Sequence, residues 1–507
     1  MAEILLLALI VLNIVVFVYF LILNSYYLVA SITSFRALRR YARRLNSVNT
    51  SDLMEVGGAP PVALLVPAYN EAVGIADSVR SLLDLRYPAY EVIVINDGST
   101  DDTLEILHDA FRLRPSARVP TAELGQGHVR GMYRSSTHPF LWVIDKENGG
   151  KADALNVGLD YCHAPFFCSL DADSALETDA LLRLIRPFLE NNATVAAGGI
   201  VRVANGSRFE DGQVVDVRLP RRLLGQLQVV EYLRAFLAGR MGWSSMGVML
   251  IVSGAFGMFR RSAVVDVGGY GTDTVGEDME LTLRLHRHFR DREEQYEVAF
   301  VPDPVAWTEV PEQLGDLGRQ RDRWQRGLLQ SLAKHRKMFM RRKYGRIGMV
   351  AYPYFWFLEG LGPVVELIGY AAFITAILIG WASPTYVVAF LTVAVVFGAL
   401  LSIAAVALEE LVFRRYQHPA DFSRMLLLAV VENVGYRQFL TFWRFRGVIS
   451  AQLGRQEWGH KKRHGAIGKA EEEREVPVLV SGRPAREFEA ETAQRAERAT
   501  RMQEQRT

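Results

Sequence analysis

The sequence predicts an α/β domain fastened to a membrane by apolar helices, and three observations carry that prediction. Short apolar runs alternate with helical patterns between about residues 60 and 305. No residue from Ile4 to Phe35 is charged, and none from Leu367 to Leu408. Hydrophobic residues make up 50% of the chain, too many for an ordinary soluble enzyme and too few for a pure membrane bundle.

A helix needs roughly 20 apolar residues to cross a bilayer, so residues 1–35 read as a transmembrane helix. No basic stretch precedes it, which disfavours a cleaved signal peptide. "RALRRYARR" follows at once, with arginines at 36, 39, 40, 43 and 44. By the positive-inside rule the N-terminus is expected outside, and residues 36–59 form a basic cytosolic linker to a domain at 60–310. Residues 361–381 and 386–408 read as two more spans joined by "WASPT", and Arg414 and Arg415 return the chain to the inside. "MLLLAVVENVGYRQFLTFW" (425–443) carries Glu432 and Arg437 in its middle. Charge at bilayer depth is costly, so 420–450 is expected to be a helix at the interface or lining a cavity. The charged tail, 465–507, is expected to be disordered. A net charge of only +2 argues against a nucleic-acid partner. Cys162 and Cys168 flank an apolar run and read as reduced, buried thiols.

Within the α/β block, buried strands are expected at 62–66, 90–95, 140–144, 165–170 and 194–201. Helices are expected at 103–111, 152–161 and 178–189. This alternation implies a mainly parallel sheet covered on both faces. No G-x-G-x-x-G follows the first strand, which disfavours a dinucleotide-dependent dehydrogenase. Ligands of such sheets bind beyond the carboxyl ends of the strands. Those ends carry "PAYNE" (67–71), "NDGSTDD" (96–102), "DKENGGKADALN" (145–156) and "DADS" (171–174).

Asp171 and Asp173 bracket one residue. On an extended backbone positions i and i+2 point the same way, so both carboxylates can converge on one cation, Mg²⁺ or Mn²⁺. The plainer alternative is an N-cap for the segment that follows. Asp97 reads as turn chemistry or as a ligand group, and Tyr69 as packing or as a platform for a base. Lys151 follows two glycines and opens a helix, where backbone N–H groups and an ammonium welcome phosphate; a solvated lysine weighs equally. Glu277 and Asp278 start another helix. One can simply serve the helix dipole, while a carboxylate beside other negative charge is expected to have a raised pKa, as a general base needs.

"LGRQRDRWQRGLLQ" (317–330) gathers four arginines around one Trp. In a helix, Gln320 and Trp324 lie one turn apart and Arg323 shares most of that face. Arg323 suits a diphosphate, and the indole suits a sugar ring. Leu314, Leu317, Trp324, Leu328 and Leu332 also recur at helical spacing, so 311–360 is expected to lie on the membrane surface.

Taken in order, "PAYNE", "NDGS", "GGKADALN", "DAD", "SGAFG", "GED" and "QRDRW" resemble the membrane-embedded family 2 glycosyltransferases over residues 1 to about 450. These are the cellulose, hyaluronan, chitin and poly-N-acetylglucosamine synthases. The resemblance implies a cytosolic, nucleotide-sugar-binding α/β domain of the GT-A type with transmembrane and interfacial helices, in the cytoplasmic membrane. It implies a UDP-sugar donor, with Pro67, Tyr69, Glu71, Asp97, Lys151 and Arg323 on the donor side. Asp171 and Asp173 would hold Mg²⁺ or Mn²⁺ and the diphosphate. Asp278, with Glu277 beside it, would be the base, and Ser253, Gly254, Gln320 and Trp324 would lie along the acceptor. The acceptor would be a growing polysaccharide or a glycolipid, lengthened by one inverting, β-forming transfer and, for a polymer, secreted. Ceramide glucosyltransferase, which adds one sugar to a lipid, resembles the same pattern. Glu432, Asn433, Tyr436, Arg437 and Gln438 inside an apolar helix favour a sugar-lined cavity and hence a polymer. The tail is too short for the cyclic-dinucleotide domain of many cellulose synthases. Three clear spans are fewer than many chain-secreting members have, so a small accessory membrane subunit is a further expected partner.

Overall fold

The computed structural model describes residues 2–45, 58–210 and 213–454. The expected tail and residues 46–57 of the expected linker lie outside them. The strands are β1 (Val62–Ala68), β2 (Tyr90–Asp97), β3 (Leu113–Pro115), β4 (Val129–Ser135), β5 (Leu141–Lys146), β6 (Phe166–Leu170), β7 (Ser174–Leu176), β8 (Thr194–Val203), β9 (Arg208–Glu210), β10 (Gln213–Asp216), β11 (Phe256–Arg260) and β12 (Glu297–Thr308). Ten form one sheet in the order β3-β4-β5-β2-β1-β6-β11-β8-β12-β7, and β9 and β10 form a separate hairpin. The central strands are buried on both faces, with Leu64, Leu65, Ile93 and Val94 all at 0% exposure, which is why they read as unbroken apolar runs.

The sheet is mixed, not mainly parallel. β5, β2, β1 and β6 run parallel, but β4 is antiparallel to β5, and β11 is antiparallel to both β6 and β8. The direction of β11 follows from where the chain arrives. Phe256 pairs with Leu170, so the strand starts at the carboxyl end of β6 and runs back down. "SGAFG" is thereby delivered beside Asp171. The helix expected at 178–189 is two short ones, Ala180–Leu184 and Arg186–Glu190. Pro187 lacks the N–H that a continuous helix would need there.

Helix α1 (Ala2–Leu45) runs straight through the first half of the expected linker, because Ala, Leu and Arg are strong helix formers. Helix α2 (Lys151–Asp160) packs on the sheet, and α3 (Glu277–Asp291) and α4 (Leu314–Lys334) follow in the chain. Then come α5 (Gly362–Leu378), α6 (Pro384–Val412), α7 (Pro419–Val431) and α8 (Tyr436–Gln452). Residues Glu3–Arg43 of α1 and all of α6 are long and apolar enough to cross a membrane. Ile347–Gly360 with α5, bent by 45°, makes a third candidate. Ile4, Leu7, Ile14, Ile22, Leu378 and Val388 stand exposed on these helices, a belt of apolar surface that marks a membrane or protein contact. Two asparagines tie α1 to α6: Tyr386 Oη donates to Asn13 Oδ1 at 2.9 Å, and Asn24 Nδ2 donates to Val393 O at 2.9 Å.

Two expectations are corrected here. Residues 425–443 are not one helix. The chain turns between α7 and α8, where Gly435 adopts φ +89° and the Asn433 side chain donates to Ala429 O at 2.8 Å. The α4 stripe is also divided rather than laid on one surface: Leu317 and Leu332 are fully buried, while Leu314 and Trp324 are exposed. Leu317 is covered on the side of α8, which packs so closely that a Cβ on Gly318 would run into the Trp443 ring, while Leu332 is buried among Met279 and Leu283 of α3 and residues 338–355.

Candidate active site

The loops after β1 and β2 are tied to each other. Asn70, at φ +56°, donates its N–H to Ser99 Oγ at 3.0 Å and accepts the Thr100 N–H at 2.8 Å. Glu71 is buried, and its N–H donates to Thr103 Oγ1 at 2.8 Å. Pro67 is half-buried and Tyr69 is exposed, so a flat ligand has access to that ring. Asp97 is buried and occupied within the protein. Its carboxylate accepts from Lys146 Nζ at 2.5 Å and from the N–H groups of Gly149 and Gly150 at 2.9 and 2.8 Å. Lys146, itself at 0% exposure, also reaches Asp153 at 2.9 Å. Gly98 sits at φ +67°, and a Cβ there would come within 2.7 Å of the Asn148 nitrogen, so only glycine allows this closure. Asp97 thus builds the floor of the rim.

The centre of the site lies between β6, β11 and α3. Lys151 Nζ is 2.6 Å from Asp171 and 3.3 Å from Glu277, which removes the solvated-lysine alternative. Burial works against the ammonium, but Asp171, Glu277 and Asp278 outweigh it and hold its pKa above the usual lysine range. Asp171 and Asp173 lead into β7 rather than a helix, so the capping alternative also falls away. Gly254, next to Ser253, donates its N–H to Asp278 Oδ2 at 3.1 Å, and the Met279 N–H donates to Oδ1 at 2.7 Å. A Cβ on Gly254 would lie 3.0 Å from Lys151 Nζ and 3.6 Å from Glu277 Oε1, so "SGAFG", Lys151 and the "GED" pair form one cluster.

The carboxyl pushed upward here is that of Glu277: burial raises it most, the Lys151 charge opposes, and Asp278 adds to the rise. Arg323 also acts on Glu277, which brings "QRDRW" to the same cluster. The start of α3 is pinned to α4 by a glycine pair, since a Cβ on Gly276 would meet Gly327 Cα at 2.8 Å.

Arg240 and Phe236 carry no sequence signal, yet both belong to the site. Arg240 is buried 4.2 Å from the Phe236 ring, and its Nη1 has no hydrogen-bond partner. Burial lowers its pKa to about 10 while the Asp278 charge pulls the other way. Phe236 lies 6.5 Å from the Trp324 ring, whose other neighbour is the Arg321 guanidinium at 4.2 Å. Gln320 stands on the same helix with a buried Oε1 that lacks a partner. Both Cys162 and Cys168 are buried and outside any disulfide.

Among the described residues, no group of three or more His, Cys, Asp or Glu side chains is placed to hold a metal by itself. Asp171 and Asp173 are two hard oxygen donors at one strand end, both half-buried. That donor set fits a divalent cation whose remaining ligands are substrate phosphate oxygens and water.

Residues 63–268 match the family model for Glycosyl transferase family 2, and residues 166–401 match Glycosyl transferase family group 2. These matches show a family 2 glycosyltransferase domain in this chain, carried by the mixed sheet. The poly-beta-1,6-N-acetyl-D-glucosamine synthase of Staphylococcus epidermidis is 30% identical over 309 residues, covering 61% of this chain and 63% of that relative. The synthase of the same name from Staphylococcus aureus (strain COL) is 30% identical over 305 residues, 60% of this chain and 62% of the relative. The match therefore spans somewhat less than two thirds of these relatives. Mannosyltransferase PcManGT from Pyrobaculum calidifontis, in complex with GDP-Man and Mn2+, aligns with 82% of this chain and 99% of its own at a TM-score of 0.47 and 19% identity.

Proposed function

We propose that the chain is an inverting synthase that transfers a sugar, N-acetylglucosamine by analogy with the staphylococcal relatives, from its UDP donor to a growing β-1,6-linked polysaccharide. The observation that carries this is the cluster of Lys151, Asp171, Gly254, Glu277 and Asp278 at one rim. In this reading Asp278 is the base, with two backbone N–H donors orienting its carboxylate. It takes the proton of the acceptor hydroxyl as that oxygen attacks the anomeric carbon. The bond from that carbon to the diphosphate breaks, and UDP leaves with the bonding pair. Lys151 and Arg323, both acting on Glu277, would meet the diphosphate. Tyr69 offers its ring to the uracil above the floor shaped by Asp97, and Trp324 and Phe236 offer aromatic faces to the acceptor sugar. Asp171 and Asp173 would hold Mg²⁺ or Mn²⁺, which would offset charge growing on the leaving group. We place α1, α5 and α6 across the cytoplasmic membrane with the catalytic domain in the cytosol, and a small membrane subunit remains a proposed partner.

At 432–438 the protein supplies several of the partners itself: Glu432 is 3.3 Å from Arg234 and 3.4 Å from Arg437, and Tyr436 donates to Glu231 at 2.7 Å. Glu432 Oε2, Asn433 Oδ1 and Arg437 Nε are buried without one, which leaves polar capacity there for a sugar chain. The polymer reading rests chiefly on the relatives. The test is to incubate the protein in lipid nanodiscs with a panel of radiolabelled nucleotide sugars and to size the product. A ladder from UDP-N-acetylglucosamine supports the proposal. A single sugar on an extractable lipid replaces it with a glycolipid synthase.

A further inference from the structure

Away from the catalytic rim, a cavity of about 660 Å³ opens where the catalytic domain meets the C-terminal end of α6. Arg183, Arg186, Arg414 and Arg415 line it, against only two lining carboxylates, Asp216 and Asp303. Converging guanidiniums repel one another, so their local pairing shows which of them has capacity left. Arg183 is 2.6 Å from Asp303. Arg415 forms a two-pronged pair with Glu177 at 2.5 and 2.9 Å. Asp216 is taken by Arg218 at 3.0 Å and His418 at 3.3 Å. The surplus therefore falls on Arg186, whose Nη2 is buried with no hydrogen-bond partner, and on the exposed Arg414. Arg414 holds φ +49° in the turn that ends α6, a position where glycine or asparagine is the unstrained choice.

Apart from Gln417, the rest of the lining is apolar. Val412 and Phe413 come from the end of α6, and valines come from the β10 hairpin on the opposite wall. The inner end of α1 reaches the same place, as Tyr41 Oη donates to Asp303 at 3.5 Å. The cavity is thus level with the ends of two helices long enough to cross a membrane. Its size suits a small amphiphile rather than a lone ion.

We propose that this cavity binds a phosphate group, that of an anionic phospholipid, with Arg186 and Arg414 taking the phosphate and Val412 and Phe413 taking the glycerol and first acyl carbons. Guanidinium is the side chain best matched to phosphate, pairing through two parallel N–H groups. The bound headgroup would fasten the short helix Arg186–Glu190 to the end of α6 without touching the catalytic cluster.

The full-length protein is placed in nanodiscs of phosphatidylcholine alone or doped with phosphatidylglycerol, and retained lipid is counted by native mass spectrometry. The wild type should retain phosphatidylglycerol on the order of tenfold better than Arg186→Gln/Arg414→Gln, as expected when charge-assisted hydrogen bonds are lost. The control Arg341→Gln/Arg342→Gln removes the same charge from an exposed site elsewhere and should retain it as the wild type does. Arg414→Gln alone, on an exposed turn, gives the same reading with part of the effect if the double variant folds poorly. Inorganic phosphate or glycerol 3-phosphate added to the phosphatidylcholine discs separates the sources. Stabilisation of the wild type but not the double variant by these compounds at low concentration would keep the phosphate site and assign it to a soluble ligand. Equal retention of phosphatidylglycerol by wild type and double variant, or an equal loss in the control, overturns the proposal.

Discussion

At the catalytic rim one lysine serves two carboxylates, Asp171 and Glu277, with Asp173 and Asp278 close by. On the helical side the pattern is reversed, and buried carboxylates have guanidiniums of their own. Arg202 grips Glu409 with two hydrogen bonds of 2.9 and 2.6 Å, both side chains being almost fully buried. Glu432 has Arg234 and Arg437, and Arg444 reaches Glu359 at 2.9 Å. These charges are spent mainly on each other, with only Arg202 Nε, Glu432 Oε2 and Arg437 Nε of those pairs left buried without a hydrogen-bond partner, so the helical side is built for docking one layer on another. At the rim the cations are shared instead, with Lys151 between Asp171 and Glu277 and Arg323 also acting on Glu277, an arrangement that suits a cation carrying phosphate and a carboxylate that takes a proton.

Breaking a closed pair should produce the largest effect. Arg202→Met leaves Glu409 buried and alone, which costs roughly 3–5 kcal/mol, whereas Arg202→Met/Glu409→Leu should recover most of that loss. Thermal unfolding of both variants in detergent checks this, and equal instability of single and double variants would deny the pairing its role. A third manner of burial sharpens the contrast. His286, on the same α3 as the proposed base, donates from Nε2 to Met249 O at 2.8 Å and accepts the Tyr296 hydroxyl at 2.8 Å. Burial lowers its pKa from 6.5 to about 4. The unfolded chain therefore binds more protons between those values. The stability from neutral His286 is complete above pH 6.5 and is lost as pH falls through about 4, a difference of roughly 3 kcal/mol by linkage. His286→Asn should flatten that acid limb in melts followed from pH 7.5 downward, and an unchanged limb assigns it to other groups.

At the rim the effects are on turnover rather than folding. Asp278→Asn should cut kcat by a factor on the order of 10² or more, about 2.7 kcal/mol, and leave donor affinity nearly intact. Near-normal turnover would move the role of base to Glu277. The smallest effect is expected from Asp173→Ala, which should weaken donor binding by about tenfold, roughly 1.4 kcal/mol, and abolish its dependence on added Mg²⁺ or Mn²⁺. Parent activity that survives excess chelator would sink the metal assignment.

Much of the rim was legible in sequence because it is local. Each strand runs straight into its motif, so apolar runs locate the loops at 67–71, 96–102 and 171–174 without any knowledge of packing. From sequence Lys151 reads equally as a phosphate ligand or a solvated side chain, because its burial depends on Glu277, which lies 126 positions later (277 minus 151). Lys146 and Asp153 stand in the motif at 145–156 with nothing local to reveal that they lock Asp97. Arg240 lies in a helical run without a motif, and only the fold carries it to Asp278.

By itself the sequence determined the α/β class, the order of the rim motifs and the location of the apolar helices. All three depend on periodicity and on neighbours a few residues apart, interactions that a linear pattern records. The tertiary structure decided the direction of β11, the turn between α7 and α8, and the partner of each buried charge. Arg202 and Glu409 are 207 residues apart, and Arg234 and Glu432 are 198 apart. A buried charge is tolerable only beside its counterpart, and across such separations only the packing of the sheet against the helices brings the two together.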